Sequence, residues 1–274
     1  MPARTSAPSL IELKLHYRPP YNWSAFLAFA GARAIPGIEE VGEDTYRRGE
    51  IAVRNNSEGN CLMASIGPAN AKHLRRITEQ IRFFFDLGAN TAEISAQLEK
   101  SPILRSRVRK HPGLRLPGCW DPFELSVRAI LGQQITVKGA STLAGRLAAR
   151  FGGIRAEVLA DADLTAIGLT KARAESIRAF SLAVVDRRIH FDAGISTQEF
   201  IRQICEVPGI GPWTANYIAM RALGDPDAFP ASDQGLLRAA GVSSARQLEQ
   251  MAETWRPWRS YAALYLWESL RNEG

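Results

Sequence analysis

The chain has 274 residues, 46% hydrophobic and 23% charged, which excludes a disordered chain and leaves room for one large domain or two ordinary ones with a real core. Lys and Arg number 34 against 28 Asp and Glu, a net charge of +6 that suits a polyanion such as nucleic acid. Three cysteines, Cys61, Cys119 and Cys205, lie far apart without CxxC spacing, so a disulfide framework, a zinc ribbon and a four-thiolate iron–sulfur cluster are excluded.

Residues 1–9 read as a flexible tail without the hydrophobic core of a signal peptide, and no later run is apolar enough to span a membrane; the expected location is the cytoplasm. Residues 11–15 alternate apolar and polar, as a half-buried strand does, and Pro19-Pro20 stops them. Asn22 is placed to cap a helix through Phe26, Leu27 and Phe29. Short strands are expected at 51–53 and 61–66, with turn residues 55–60 making them a hairpin. A helix over 71–85 follows, its apolar stripe carried by Leu74, Ile77, Ile81 and Phe84. Residues 10–87 thus predict an α+β unit around a small antiparallel sheet.

Residues 88–274 predict helix after helix. The stretch 99–118, rich in Arg, Lys, Pro and Gly, reads as a linker or a basic loop. Asp121-Pro122 opens a helix that breaks at Gly132, and another covers 137–151 and stops at Gly152-Gly153. Asp161 and Thr170 are expected to cap two more, and Ser196-Thr-Gln-Glu199 fits a capping box. Pro212 and Ser244 open further helices, and Trp255-Arg-Pro257 interrupts the chain before the last. His16, His73, His111 and His190 are scattered and form no metal pattern.

The informative segment is Val207-Pro-Gly-Ile-Gly-Pro-Trp-Thr-Ala-Asn-Tyr217. Gly209 and Gly211 bracket Ile210, which can tuck inward as a plug, and both glycines are expected to allow backbone geometry that a side chain would block. The amides after the turn then stand at a helix start, where partial positive charge and free N–H groups bind a phosphate. A plain tight turn between helices shares this pattern. About twenty residues on, Ser232 or Asp233 would ordinarily be the N-cap of a helix over 234–239, but the Asp233 carboxylate there can also face a reacting sugar. Lys171 and Arg173 follow a second turn and read equally as phosphate contacts or a solvated helix face.

With Tyr17-Arg-Pro-Pro-Tyr-Asn-Trp-Ser24, Gly113-Leu-Arg-Leu-Pro-Gly118, Phe123 through Gly132-Gln-Gln134, Pro208 through Tyr217, and Trp255 through Tyr261, the chain resembles the AlkA-type helix-hairpin-helix DNA glycosylases. The resemblance implies a mainly α, α+β fold: the small β-containing domain, then two helical lobes with the active-site cleft between them. It implies a monomer that acts on damaged double-stranded DNA, associated with the nucleoid. Asp233 would be the catalytic carboxylate, stabilising the positive charge that builds on the sugar or activating water. Members that also cut the strand carry a lysine where this chain has Trp213, so a water nucleophile and an abasic product are implied. Phe29, Trp213, Tyr217 and Trp267 would line the base pocket, attracting a base made cationic by alkylation, 3-methyladenine above all; such a base leaves easily and needs no dedicated general acid. Gln134 would wedge into the gap left by the flipped base, where some relatives use leucine. Gly209, Gly211 and Thr214 would hold the DNA backbone. No cofactor is expected beyond a structural Na+ or K+ on the carbonyls of Cys205, Val207 and Ile210. A non-catalytic helix-hairpin-helix DNA-binding module is the alternative.

Overall fold

A computed structural model describes residues 10–191 and 194–271; the expected tail, 1–9, lies outside the described residues. The N-terminal part is a five-stranded sheet, β1 (Ile11–His16), β2 (Glu39–Val41), β3 (Thr45–Arg48), β4 (Ile51–Asn56) and β5 (Cys61–Ile66), in spatial order β1-β5-β4-β3-β2, every neighbour antiparallel. The register sets Leu15 opposite Leu62, Val53 opposite Ala64 and Tyr46 opposite Val53. One face therefore buries Leu15, Tyr46, Val53 and Ala64 against α1 (Trp23–Arg33) and α2 (Leu74–Phe84). The expected hairpin joins β4 and β5. Strands β2 and β3 were not expected: they are short and charged, Glu-Glu-Val and Thr-Tyr-Arg-Arg, and bury only Glu39 and Tyr46. Glu39 is tied there by the Tyr46 hydroxyl at 2.5 Å and the Ile35 amide at 3.0 Å.

A long return loop seals this core. Trp120 packs among Tyr46 and Phe84. Gly113 has φ +78, and a Cβ there would lie 2.7 Å from the Pro20 carbonyl carbon. Buried Arg115 donates to the carbonyls of Asp86 at 2.6 Å and of Arg18, and lies 4.7 Å from the Tyr21 ring centre. The stretch expected as a linker or basic loop, 99–118, contains α4 (Pro102–Lys110), which follows α3 (Thr91–Leu98). Leu104 and Val108, one turn apart, bury its inner face, while the arginines that suggested a loop cover its outer side.

The helical part continues with α5 (Pro122–Leu131), capped by Asp121 onto the Glu124 amide at 2.7 Å, and α6 (Val137–Phe151), ended by Gly152 at φ +67. After α7 (Ala156–Leu159) the expected cap at Asp161 is absent. Asp163 takes that part instead, its carboxylate accepting from the Thr165 amide at 3.0 Å in a single 3-10 turn. Thr170 caps α8 (Lys171–Val185) and Ser196 caps α9 (Thr197–Cys205). Then come α10 (Pro212–Ile218), prolonged by a π-helical turn Ala219–Leu223, α11 (Gln234–Ala240), α12 (Ala245–Ala252) and α13 (Arg259–Arg271). A second core runs through these helices from Ile94 to Leu266 and also takes in Ile35. Helix α1 packs on α6 and so bridges the two cores.

Candidate active site

A cavity of about 500 Å³ opens where α1, α5, α10, α11 and α13 converge. Asp233, Trp213, Tyr217, Trp267 and Phe29 all stand in its lining. Asp233 is the N-cap of α11, and its Oδ1 accepts from the Leu236 amide at 2.9 Å. The same oxygen accepts from the Trp267 indole at 3.0 Å, and Oδ2 accepts from the Trp213 indole at 3.0 Å. Three donors thus fix a half-buried carboxylate at the cavity wall. Trp213 and Tyr217, one turn apart on α10, stack at 5.7 Å with planes 8° apart; Trp267 meets Tyr217 edge-on at 6.3 Å. Capping and ring placement are one construction, because α11 packs on α13 and so brings Trp267 to the cap.

The hairpin joins α9 to α10. Ile210 is the buried plug, 4% exposed. Gly209 has φ +83, and a Cβ there would sit 2.1 Å from the Ser176 hydroxyl, so glycine is required. Gly211 differs from expectation: its φ of −97° and ψ of 175° are open to any residue, and a Cβ would meet nothing within 4 Å. No special turn at this position requires glycine. Gly168, at φ +88, precedes α8, whose first turn carries exposed Lys171.

Gln134 is exposed in the left-handed region, φ +59, at the rim formed by Gly132, Ile135 and Val137. Its neighbour Gln133, given no role above, fixes this rim: its side-chain amide donates to the Gly209 carbonyl at 2.9 Å and the Thr214 hydroxyl at 3.0 Å. The Arg173 guanidinium donates to the Gln133 carbonyl at 2.5 Å. Thr214 is buried, so its side chain faces Gln133 and not solvent. The carbonyl of Val207 accepts from the Ile210 amide at 3.1 Å.

Sequence reasoning missed the opposite wall altogether. Arg33 from α1, Arg128 from α5 and Arg221 from the π-helical turn line the same cavity. The Arg33 guanidinium lies 3.7 Å from the centre of the Phe29 ring and that of Arg221 4.9 Å from it. Arg221 is buried, donating to the carbonyls of Pro117 and Gly118 (2.8 Å) and to the Tyr217 hydroxyl (2.9 Å). Burial, with the charges of Arg221 and Arg128, holds Arg33 below the ordinary guanidinium value, and burial does the same for Arg128. Burial alone would raise the Tyr217 phenol, but Arg221, Arg33 and Arg128 outweigh it and bring it down to about 8.

Residues 12–121 match the AlkA N-terminal domain, and residues 127–259 match the HhH-GPD superfamily base excision DNA repair proteins. DNA-3-methyladenine glycosylase 2 of Escherichia coli (strain K12) is 32% identical over 281 residues, 92% of this chain and 95% of that protein. The chain belongs to the HhH-GPD superfamily. A probable bifunctional transcriptional activator/DNA repair enzyme AlkA from Mycobacterium tuberculosis is 37% identical over 98% of this chain, which spans 59% of that protein's length. The fold is also that of a 3-methyladenine DNA-glycosylase from Archaeoglobus fulgidus, with a TM-score of 0.74 at 22% identity, covering 94% of this chain and 97% of that one.

Proposed function

We propose that this chain is a monofunctional DNA glycosylase: it flips an alkylated base, of the 3-methyladenine kind, from duplex DNA into the cavity and hydrolyses its bond to deoxyribose, leaving an abasic site. The observation that carries this reading is the Asp233 carboxylate, held by two indoles and a backbone amide at the wall of a ring-lined cavity whose lining, among the described residues, contains no lysine. As the glycosidic bond lengthens, positive charge builds on the sugar, and a carboxylate fixed beforehand stabilises it without reorganising. Oδ2, with one indole donor, is the oxygen free to take a proton from the attacking water. Without an amine in the lining there is no group to form a Schiff base, so water is the nucleophile.

Duplex DNA docks on the hairpin. The amides that open α10 past Gly209 and Gly211 hold a backbone phosphate, with Thr214 contributing only its backbone, while Lys171 and the remaining donors of Arg173 hold another at the start of α8. Gln134 fills the gap left by the extruded base. The carbonyls of Cys205, Val207 and Ile210 are hard oxygen donors of the kind that suits Na+ or K+, which would brace the hairpin; the chemistry itself needs no cofactor. The chain works as a monomer in the cytoplasm, on the nucleoid, with residues 10–87 and 88–274 as its two parts.

The test is Asp233→Asn, assayed on duplexes that each carry one lesion. Base release should fall at least ~100-fold, the scale of a lost electrostatic stabiliser, while affinity for the duplex stays. Unchanged release would sink the proposal, and a borohydride-trapped covalent adduct would overturn the assignment of water as nucleophile.

A further inference from the structure

The turn that carries Gln134, between α5 and α6, has long bonds within its own backbone. The Gln133 amide reaches the Ile130 carbonyl at 3.3 Å, and the Ile135 amide reaches the Gly132 carbonyl at 3.5 Å. Gln134 nonetheless stands at φ +59, a conformation that residues with side chains rarely adopt and that persists where the surroundings impose it. Thr136, accepting from the Gly139 amide at 3.1 Å, fixes the far end of the turn to α6. The near end is fixed from outside, through Gln133. Its side-chain amide donates to two acceptors of the hairpin, the Gly209 carbonyl at 2.9 Å and the Thr214 hydroxyl at 3.0 Å. Its backbone carbonyl accepts from Arg173 in the first turn of α8. Gly209 in turn rests on Ser176 of α8, and Thr214 follows Trp213, whose indole holds Asp233. One residue therefore joins the turn of Gln134, the hairpin and the start of α8. Core packing does not call for a glutamine here, since Gln133 is only half-buried and Ile135 and Val137 beyond it are exposed.

Resting on the glycosylase reading above, with Gln134 as the residue that fills the gap, we infer that Gln133 is a positioning residue for base extrusion. It sets the Gln134 turn at a fixed height over the hairpin, so that grip on the DNA backbone and filling of the stack share one register. The hairpin holds phosphates through backbone amides, contacts that are the same for a stacked base and an extruded one. Extrusion costs stacking and pairing, and a plug offsets that cost when it already stands where the gap will open. A turn free to swing would have to be ordered at the moment of insertion, and the entropy of ordering would consume part of the offset. Cutting the two side-chain ties of Gln133 then slows extrusion while docking and bond cleavage stay as they were.

The experiment uses two duplexes that differ only opposite the lesion. In one, 3-methyladenine faces thymine; in the other it faces a mispaired cytosine, so that less pairing opposes extrusion. Single-turnover base release at saturating enzyme is measured for the wild type, for Gln133→Met, which keeps the length and loses both donors, and for Gln133→Glu, which keeps the shape and sets a carboxylate against the Gly209 carbonyl. Affinity for an undamaged duplex is measured beside it. Release from the paired duplex should fall about ten-fold in both variants, the scale of two lost neutral hydrogen bonds, and clearly less from the mispaired one, with affinity unchanged. The ratio of the two rates does not depend on the fraction folded, so a variant that is merely less stable leaves it where it was. An unchanged ratio, or a loss confined to affinity, overturns the positioning role and leaves the glycosylase reading standing. A wild type that releases the base from neither duplex overturns both.

Discussion

The two walls of the cavity are held in opposite ways. On one, Asp233 and its indoles are arranged by local rules: an N-cap, two rings one turn apart on α10, and a third ring delivered by the packing of α11 on α13. On the other, guanidiniums from residues 33, 128 and 221 gather from three separate segments, and Arg221 is fixed by carbonyls of the return loop and by the Tyr217 hydroxyl. The first wall keeps a carboxylate partly wet and precisely aimed; the second keeps positive charge buried. The contrast teaches that a site for bond cleavage can separate its negative and positive halves by separating their supports.

Beside the loss expected at Asp233, the largest effect that separates the walls should come from Arg221→Gln. It removes donors from two loop carbonyls and one phenol, and buried acceptors left unpaired cost roughly 1–3 kcal/mol each. The melting temperature should drop by several degrees, whereas Asp233→Asn, at a half-buried cap, should change it much less. Equal drops in calorimetry would break the claim that the arginine wall is part of the scaffold and the aspartate wall is not.

Trp267→Phe sharpens the same comparison with a smaller effect. The ring survives and the indole N–H on Oδ1 is lost, leaving that oxygen with the Leu236 amide alone. Removing one hydrogen bond to a charged acceptor is expected to slow base release about ten-fold, at nearly unchanged substrate affinity. A change confined to affinity would mean that Trp267 serves the base and not the carboxylate.

Of the first wall, the cap and the hairpin were legible from short-ranged rules, whereas Trp213, Tyr217 and Trp267 were placed in the pocket by the family resemblance. Ser232 or Asp233 stands where a cap is expected, and Gly-Ile-Gly marks the hairpin. What was read too strongly was Gly211, whose backbone is ordinary; spacing alone cannot tell a glycine needed for its φ from one whose backbone any residue could adopt. Helix α4 was hidden because arginines on its outer face masked a two-residue apolar stripe. Strands β2 and β3 were hidden because they are short and carry no apolar alternation: of their residues only Glu39 and Tyr46 are buried, bonded to each other. The arginine wall left no periodic trace, since nothing in the spacing of 33, 128 and 221 brings them together; only the folded chain does so. Gln133 came nearest to being found, lying beside Gln134 in the same block.

The smallest expected effect concerns Tyr217, where the two walls meet. Its hydroxyl accepts from Arg221 at 2.9 Å while its ring stacks on Trp213, and the arginines bring its ionisation to about 8 against burial. The five other tyrosines, Tyr17, Tyr21, Tyr46, Tyr261 and Tyr265, are all pushed upward, chiefly by burial. A near-ultraviolet titration of the folded protein should therefore show one tyrosinate near pH 8, absent in Tyr217→Phe. A phenol whose folded value lies below its unfolded value of about 10 adds stability that is complete above pH 10 and lost as pH falls through 8. The stability of the wild type relative to Tyr217→Phe should accordingly rise between pH 8 and 10.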